Sequence, residues 1–315
     1  MSPVDTARRR VEAALATAAL LLLSGCATIF SISKAPGGVH VVDPPRFEAP
    51  TRAEPPRVAL VLSGGAARAF AHLGVLRVLE REGLKPDLIV GTSAGAMVGA
   101  YYAAGKSVSE IEAIAARLDL TTLIDIDPVR TLLGGFGLGL AKGERLEAFL
   151  RESLDLPLQA LPTPFVAVAT DLNTGESVLL NHGDTPRALR ASSAVPGLYE
   201  PVRAGRRMLA DGQIASPLPV GAARKLGARV VVAVDVVYPP QNASLTNPLS
   251  VLFQTVTIST WRHLLREREQ ADLLVRPVIP PTSDLALSDR AWLIAAGEAA
   301  AEKMLPALRA AFRPR

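Results

Sequence analysis

The sequence predicts an α/β fold in which a mainly parallel sheet lies between two layers of helices. Short runs such as 58–62 and 230–236 have the length and apolar character of buried strands. They alternate with longer segments in which apolar residues recur every three to four positions, as on one face of a helix. About 260 residues follow position 56, enough for one large domain, predicted at 57–315. In such a fold the ligand site lies at the carboxyl ends of the strands.

The individual elements follow from these two periodicities. Each strand is a short apolar run bounded by turn residues, and each helix is longer and carries an apolar stripe. Strands are predicted at 58–62, 87–91, 165–170, 176–180, 207–210, 230–236 and 273–276. Helices are predicted at 67–82, 94–104, 108–118, 143–153, 185–193, 216–226, 248–269 and 288–312.

Before this domain, residues 1–25 have the pattern of a secretory signal peptide. Arginines at 8–10 precede an apolar stretch at 11–23 that is too short to remain as a membrane-spanning helix. Cys26, the one cysteine of the chain, follows in a setting that resembles the lipobox of bacterial lipoproteins. That resemblance implies cleavage before Cys26, acylation of its thiol and a lipid anchor in the bacterial envelope that faces the periplasm. Ala27 in place of aspartate implies the outer membrane.

A proline-rich segment separates the cysteine from the domain. Residues 26–56 have little apolar periodicity and contain prolines at positions 36, 44, 45, 50, 55 and 56. Such a segment is extended, at about 3 Å per residue where it resembles polyproline. We therefore expect a tether that holds the domain away from its anchor.

Residues 63–68 form a glycine-rich turn between the first predicted strand and the first helix. Backbone N–H groups at such a turn point outward at the positive end of the helix dipole, so they can bind an anion. A dinucleotide site requires G-x-G-x-x-G, but Ala66 and Ala69 occupy its third and sixth positions. Two interpretations remain. The turn binds nothing, or the N–H groups of Gly64, Gly65 and Ala66 hold the oxyanion of a tetrahedral intermediate.

Residues 91–95, Gly-Thr-Ser-Ala-Gly, connect the apolar run 88–90 to a predicted helix. Small residues on both sides of a serine in a strand-to-helix turn are typical of a nucleophile elbow, which exposes the hydroxyl at the end of a sheet. The glycines are needed because a Cβ would collide with the strand or the helix. The context predicts that Ser93 is a nucleophile rather than an ordinary turn serine.

A serine nucleophile needs a base that accepts its proton, and the sequence contains several candidates for this base. Of the four histidines, only His263 follows the acids downstream of Ser93, but it lies in a charged helical stretch rather than in a loop. Asp211 is the preferred carboxylate because it ends a short apolar strand and precedes a glycine. Asp171 and Asp235 also end apolar runs, and each is either structural or a rival base.

Taken together, these motifs resemble those of the bacterial patatin-like phospholipases, serine acyl hydrolases that use a Ser–Asp dyad. The matching pieces occur in the family's order over about residues 57–280. They are the oxyanion loop at 64–68, the elbow at 91–95, the segment 191–197, the Asp-Gly pair at 211–212 and the segment 271–277.

The resemblance implies a patatin-like three-layer fold and cleavage of fatty-acyl esters of phospholipids, in lipid catabolism or membrane lipid remodelling. Asp211 would accept the proton of Ser93, and the N–H groups at 64–66 would hold the oxyanion. The resemblance also implies that no metal or cofactor is needed. We expect membrane lipid as the substrate, and the net charge of +4 gives no reason to expect nucleic acid.

The chain departs from the family pattern at two sites. The family's loop usually reads G-G-G-x-R-G, whereas Ala66 and Ala69 replace two of its glycines. Alanine keeps its N–H, so the oxyanion hole survives if position 66 does not need a left-handed backbone. Gln213 stands where the family usually has glycine or alanine. Arg68 is predicted to orient the loop or to contact an anionic head group, with a plain surface arginine as the alternative.

Two other functions stay open, a catalytically silent lipoprotein that binds lipid in the same cleft and a triad esterase that uses His263. The intact Ser93 and Asp211 disfavour the first.

Two motif-like segments are explained without a ligand. Residues 100–107 are predicted to end a helix before a capping box that starts at Ser107, and the glycines at 134–139 are predicted to form a mobile loop at the substrate mouth.

Overall fold

The computed structural model describes residues 45–48, 55–125, 137–240, 245–246, 248–279 and 287–313. The predicted signal peptide, Cys26 and most of the predicted tether lie outside these ranges, as do Gly134 and Gly135 of the glycine run. In the described ranges, every helix falls short of the length or the hydropathy that a membrane span requires.

Most of the predicted strands and helices are confirmed. The strands are β1 Val58–Leu62, β2 Leu88–Thr92, β3 Gly139–Ala141, β4 Phe165–Asp171, β5 Ser177–Leu180, β6 Gly197–Tyr199, β7 Val202–Ala204, β8 Arg207–Asp211, β9 Val230–Val234 and β10 Leu273–Val275. The helices are α1 Phe70–Arg81, α2 Ala94–Ala103, α3 Val108–Ala116, α4 Leu120–Leu123, α5 Glu144–Ser153, α6 Thr185–Ser192, α7 Val220–Lys225, α8 Pro248–Arg268, α9 Arg290–Lys303 and α10 Leu305–Phe312.

Eight of the ten described strands form one sheet whose central part is parallel, as the sequence predicts, and β3 and β6 form a separate two-stranded sheet. The hydrogen-bonded order of the larger sheet is β10-β9-β1-β2-β4-β8-β7, and β5 also pairs with β4. The pairs from β10 through to β4 are parallel, whereas the pairs that involve β5, β7 or β8 are antiparallel. The carboxyl ends of the central strands therefore share one edge, where the site is expected.

Alternate residues of each central strand face two different cores. In β1, Leu60 and Leu62 pack into one hydrophobic cluster, and Val61 packs into another. Because successive side chains of a strand point to opposite faces, helices must cover both faces of the sheet. The result is a three-layer fold.

The register along β4 places two strand ends against each other. β5 pairs with one edge of β4, and both β2 and β8 pair with the other edge. On that edge Thr92, the last residue of β2, is opposite Val168, and Asp211, the last residue of β8, is opposite Ala169. Because β2 runs parallel to β4 and β8 runs antiparallel to it, their carboxyl ends meet.

Several predicted boundaries differ from the structure for local reasons. The helix predicted at 216–226 begins only at Val220, after Pro219, and the one predicted at 288–312 breaks at Met304 into α9 and α10. β3, β6 and β7 were not predicted. Part of the glycine run predicted as a mobile loop is strand instead, because Gly139 begins β3 and pairs with Gly197. The predicted capping box at Ser107 is confirmed.

Candidate active site

Ser93 lies at the carboxyl edge of the sheet, in the turn between β2 and α2. Its backbone has φ 55° and ψ −129°, which is rare for residues other than glycine. Such a conformation costs about 1–3 kcal/mol and persists only where the surrounding structure imposes it. The turn is therefore the strained elbow that the motif predicts.

Two glycines of this turn are required by close backbone contacts. A Cβ on Gly91 would lie 2.5 Å from the Cα of Ala96, and a Cβ on Gly95 would lie 2.2 Å from the carbonyl oxygen of Ser63. Real Cβ atoms essentially never approach other atoms this closely. Gly95 thus allows the turn that contains Ser93 to pack directly on the glycine-rich loop after β1.

The structure brings the carboxylate of Asp211 to Ser93. Ser93 Oγ donates to Asp211 Oδ2 at 2.7 Å, and Oδ1 accepts the N–H of Gln213 at 2.8 Å. Asp211 is 3% exposed, and this burial raises its pKa to about 6, although both hydrogen bonds act to lower it. At neutral pH the carboxylate is therefore ionised but more basic than that of an exposed aspartate.

The end of α6 contacts both of these residues. Ser192 Oγ accepts the N–H of Ser93 at 2.9 Å and donates to the carbonyl oxygen of Val168 at 2.6 Å. Two residues later, the carbonyl oxygen of Ala194 accepts the N–H of Asp211 at 2.9 Å. The segment 192–194 therefore ties Ser93 and Asp211 to the same piece of chain.

The loop at 64–68 departs from the prediction at its first glycine. The N–H of Gly64, predicted as an oxyanion donor, donates to the carbonyl oxygen of Pro217 at 3.1 Å, so it is already used within the fold. Within the described residues, the N–H groups of Gly65 and Ala66 make no such bond. Because Ala66 lines the same cavity as Ser93, these two groups are the remaining candidates for binding an oxyanion.

Ala66 has a backbone conformation that favours glycine. The expectation that position 66 avoids the left-handed region is wrong, since Ala66 has φ 49°. The left-handed conformation places the Cβ too close to the following carbonyl oxygen and costs about 1–2 kcal/mol. The alanine therefore keeps the N–H but strains the loop.

Polar contacts hold this loop to the chain that follows β9 and to α1. Ser63 Oγ accepts the N–H of Val236 at 3.0 Å, and Arg68 Nε donates to the carbonyl oxygen of Val236 at 3.2 Å. His72 Nε2 donates to the carbonyl oxygen of Ser63 at 2.9 Å, and burial lowers the pKa of His72 to about 4, so the ring is neutral at pH values well above this. Of the roles predicted for Arg68, this contact favours orientation of the loop.

Among the described residues, the other candidate bases do not contact Ser93 as Asp211 does. Asp171 Oδ1 accepts the N–H of Asn173 at 3.0 Å in the turn after β4, and Asp235 Oδ2 accepts from Arg268 Nε at 2.6 Å. His263 is exposed on α8. None of the three is hydrogen-bonded to Ser93 within the described residues, and these ranges contain no cluster of His, Cys, Asp or Glu that could hold a metal ion.

An apolar cavity of about 190 Å³ opens beside Ser93. Its walls are mostly aliphatic and aromatic side chains of α1, α2, α3 and α5, among them Phe70, Leu73, Met97, Val98, Ile111, Ile114, Leu146, Phe149 and Leu150. An apolar cavity of about 150 Å³ is enough to hold benzene. The cavity beside Ser93 can therefore take part of an apolar chain.

Three residues that support the site were not predicted. Ser192 lies in the segment 191–197, which resembles the family but whose sequence predicts no role for this residue. His72 and Glu267 have helical spacing and no local signal that sets them apart. Glu267 accepts the N–H of Leu218 at 2.8 Å and also accepts from the hydroxyl of Ser216, in the loop after Asp211, and burial raises its pKa to about 7.

Comparison with known families gives one match that covers about half of the chain. The family model described as "Patatin-like phospholipase" matches residues 60–224. This range contains the loop at 64–68, the elbow at 91–95 and Asp211.

Individual relatives match over a similar share of the chain. An uncharacterized NTE family protein of Mycobacterium tuberculosis is 37% identical over 182 residues, which are 57% of this chain and 49% of that protein. Patatin-like phospholipase domain-containing protein 7 of Rattus norvegicus is 33% identical over 188 residues, which are 57% of this chain and 13% of that protein. The chain thus spans about half the length of the mycobacterial relative. Among solved structures, VipD from Legionella pneumophila has a TM-score of 0.49 at 17% identity, covering 90% of this chain and 73% of VipD.

Proposed function

Because the chain belongs to the patatin-like phospholipase family, we propose that it is a serine acyl hydrolase that cleaves fatty-acyl ester bonds of phospholipids. The observation that carries this proposal is the 2.7 Å hydrogen bond from Ser93 Oγ to Asp211 Oδ2 beside an apolar cavity. The pair supplies a nucleophile and a base, and the cavity supplies a place for an acyl chain. The role would be lipid catabolism or membrane lipid remodelling.

In the first half of the reaction, Asp211 accepts the proton of Ser93 while Oγ attacks the ester carbonyl carbon. The N–H groups of Gly65 and Ala66 bind the oxyanion that forms. Collapse of this intermediate breaks the ester bond, and the proton held by Asp211 passes to the leaving alcohol or lysolipid. The fatty acid is then bound to Ser93 as an acyl ester.

In the second half, water takes the place of the alcohol. Asp211 accepts a proton from the water, whose oxygen attacks the acyl-enzyme, and the same N–H groups bind the second oxyanion. Ser93 leaves and regains its proton as the free fatty acid forms. Burial supports this role for Asp211, because a base is most effective when its pKa approaches the working pH.

The cavity favours an apolar acyl group over a polar one. Its lining includes Phe70, Leu73 and Phe149, so an acyl chain is removed from water there, at a gain of about 25 cal/mol per Å² of apolar surface. A polar chain would lose its hydrogen bonds to water without replacement. This supports a fatty acyl ester as the substrate.

A fluorophosphonate probe tests the reaction, because it labels a serine only when that serine is activated. We expect labelling of the wild-type chain, none of Ser93→Ala, and wild-type labelling of His263→Ala. Products from phospholipid vesicles, identified by mass spectrometry, should be free fatty acid and lysolipid.

The same experiment separates the two alternatives. Loss of labelling in a folded His263→Ala chain would favour the triad esterase. A wild-type chain that binds phospholipid but is neither labelled nor active would favour the catalytically silent lipoprotein.

The lipid anchor is a second part of the proposal. We propose that residues 1–25 are removed, that Cys26 is acylated, and that residues 26–56 tether the domain to the periplasmic side of the outer membrane. The support is the apolar stretch at 11–23 that ends before the one cysteine of the chain. One acyl chain gives only marginal membrane binding, so a stable anchor needs more than one.

Intact-mass analysis of the mature protein tests this anchor. We expect Cys26 as the first residue, with a mass increase that corresponds to several acyl chains. Cys26→Ser should leave an uncleaved precursor or an unanchored form that still hydrolyses short soluble esters. An unmodified thiol at Cys26, or a mature N-terminus far from it, would contradict the anchor.

A further inference from the structure

Helix α8 is longer than the strands on which it packs. Its 21 residues span about 31 Å at 1.5 Å per residue, whereas the five residues of β9 span about 17 Å. β9 ends at the carboxyl edge of the sheet, whereas α8 is followed after four residues by β10, which is parallel to β9 and so starts towards the opposite edge. The helix is therefore too long to lie beside the sheet along its whole length.

The buried side chains of α8 lie in its C-terminal half. Arg268 donates to Asp235, which directly follows β9, and Glu267 accepts the N–H of Leu218. The first buried side chains along the helix are Thr260 and Leu264, and none of residues 250–259 is buried. The N-terminal half of α8 thus extends beyond the carboxyl edge, the same edge at which Ser93 lies.

This extended part of α8 exposes apolar side chains to solvent. Val251 is 48% exposed, Leu252 40%, Ile258 46% and, in the C-terminal half, Leu265 43%. Val251, Ile258 and Leu265 are seven residues apart and so share one face of the helix. Large apolar side chains grouped on one exposed face mark a surface that contacts a partner or a membrane.

The charge of the same face is positive. Arg262 and Arg266 are exposed, and Arg262 lies on the face that carries Ile258 and Leu265. The sequence from 236 to 266 contains no aspartate or glutamate. An exposed face with both apolar and cationic side chains complements an anionic lipid surface. A second copy of the chain would instead place like charges against each other.

We propose that the exposed face of α8, formed by Val251, Ile258, Arg262 and Leu265, docks on an anionic lipid surface. Docking there would hold the carboxyl edge, and with it the cavity beside Ser93, against the bilayer that contains the substrate. This inference rests on the proposed function only in its purpose, since docking itself requires no catalysis.

Vesicle flotation of the protein from residue 26 onward, the proposed mature chain, tests the docking. All proteins carry Cys26→Ser and Ser93→Ala, which, with the signal peptide absent, remove insertion, acylation and turnover from the comparison. The test variant is Val251→Ser with Ile258→Ser. Its control is Leu156→Ser with Trp292→Ser, two residues that are each 44% exposed elsewhere on the domain.

On vesicles that contain equal parts of phosphatidylcholine and phosphatidylglycerol, we expect the test variant to bind at least about tenfold more weakly than its parent. The control should bind like the parent. Arg262→Gln with Arg266→Gln should reduce the preference for these vesicles over vesicles of phosphatidylcholine alone.

Two results would overturn the proposal. One is equal binding by the test variant and its control. The other is a change from dimer to monomer in the test variant, measured by light scattering, without a change in vesicle binding, which would assign the face to a second copy. Failure of the proposed function would look different, because a chain with Ser93 would then be inactive on soluble esters whatever its binding to vesicles.

Discussion

Ser93→Ala and Asp211→Asn are each expected to lower the hydrolysis of a short soluble ester by about 10⁴-fold or more. The reason is that Ser93 Oγ and Asp211 Oδ2 form one hydrogen-bonded unit, in which neither group replaces the other. The measurement is kcat/KM for the ester, with circular dichroism as the check on folding. Activity within a few fold of wild type in either folded variant would contradict the proposed roles.

The activity proposed for the wild-type protein should depend on pH through the ionisation of Asp211. The carboxylate must be ionised to accept the proton of Ser93, and burial raises its pKa to about 6. We therefore expect kcat/KM to fall about tenfold per pH unit below this value and to level off above it. A pH profile that stays flat through this range would mean that another group limits the reaction.

Asp211→Asn should also change the free energy of unfolding. Although the substitution lowers activity, it should increase stability relative to wild type as the pH rises. Because the pKa of Asp211 is higher in the folded than in the unfolded chain, the folded state is favoured by protonation and loses that advantage as the pH rises through about 6. The asparagine does not titrate. The free energy of unfolding of the variant should therefore rise relative to wild type with pH, which urea unfolding at several pH values can measure. This separates a chemical loss of activity from unfolding.

Gly65→Val is expected to reduce kcat by about 10²-fold or more with little loss of secondary structure. A Cβ on Gly65 would lie 2.7 Å from Cγ2 of Val236, so the loop must shift and move its N–H groups. Steady-state kinetics on a soluble ester measures the effect. Unchanged kcat would place the oxyanion hole elsewhere.

Ala66→Gly is the matched control for that substitution. Glycine adopts the φ of 49° without steric cost, which gains about 1–2 kcal/mol in the folded state. Part of this gain is offset by the greater freedom of glycine in the unfolded chain, about 0.4–1 kcal/mol. We therefore expect activity near that of wild type and an unfolding temperature that is equal or higher.

The parallel part of the fold could be predicted because its strands are buried on both faces. Such strands are continuous apolar runs, and β1 has the predicted bounds of 58–62. The strands β3, β6 and β7 have three residues each, and their burial is incomplete. β3 and β6 pair with each other although they are distant in sequence, and β7 is one short side of a tight hairpin with β8. Three residues are too few to show a period, so their own residues give nothing to detect.

The features of the site also divide into those with a local sequence signal and those that depend on contacts with other parts of the chain. The contact between Ser93 and Asp211 could be predicted because each residue lies in a local motif at the end of a strand. The engagement of the Gly64 N–H could not, because it depends on Pro217, which comes from a different loop. The strain at Ala66 could not be seen either, since alanine is common and its φ is set by its neighbours.

The meeting of β2 and β8 on one edge of β4 has a consequence for how the family changes over time. In the proposed mechanism the nucleophile Ser93 follows a strand of the parallel core, whereas the base Asp211 ends the antiparallel hairpin β7–β8. Mutations in the hairpin can thus remove the base while the core still folds. Inactive descendants of such an enzyme should therefore arise more readily by drift in this hairpin than by change at the elbow, where Gly91, Ser93 and Gly95 are constrained by packing as well as by chemistry.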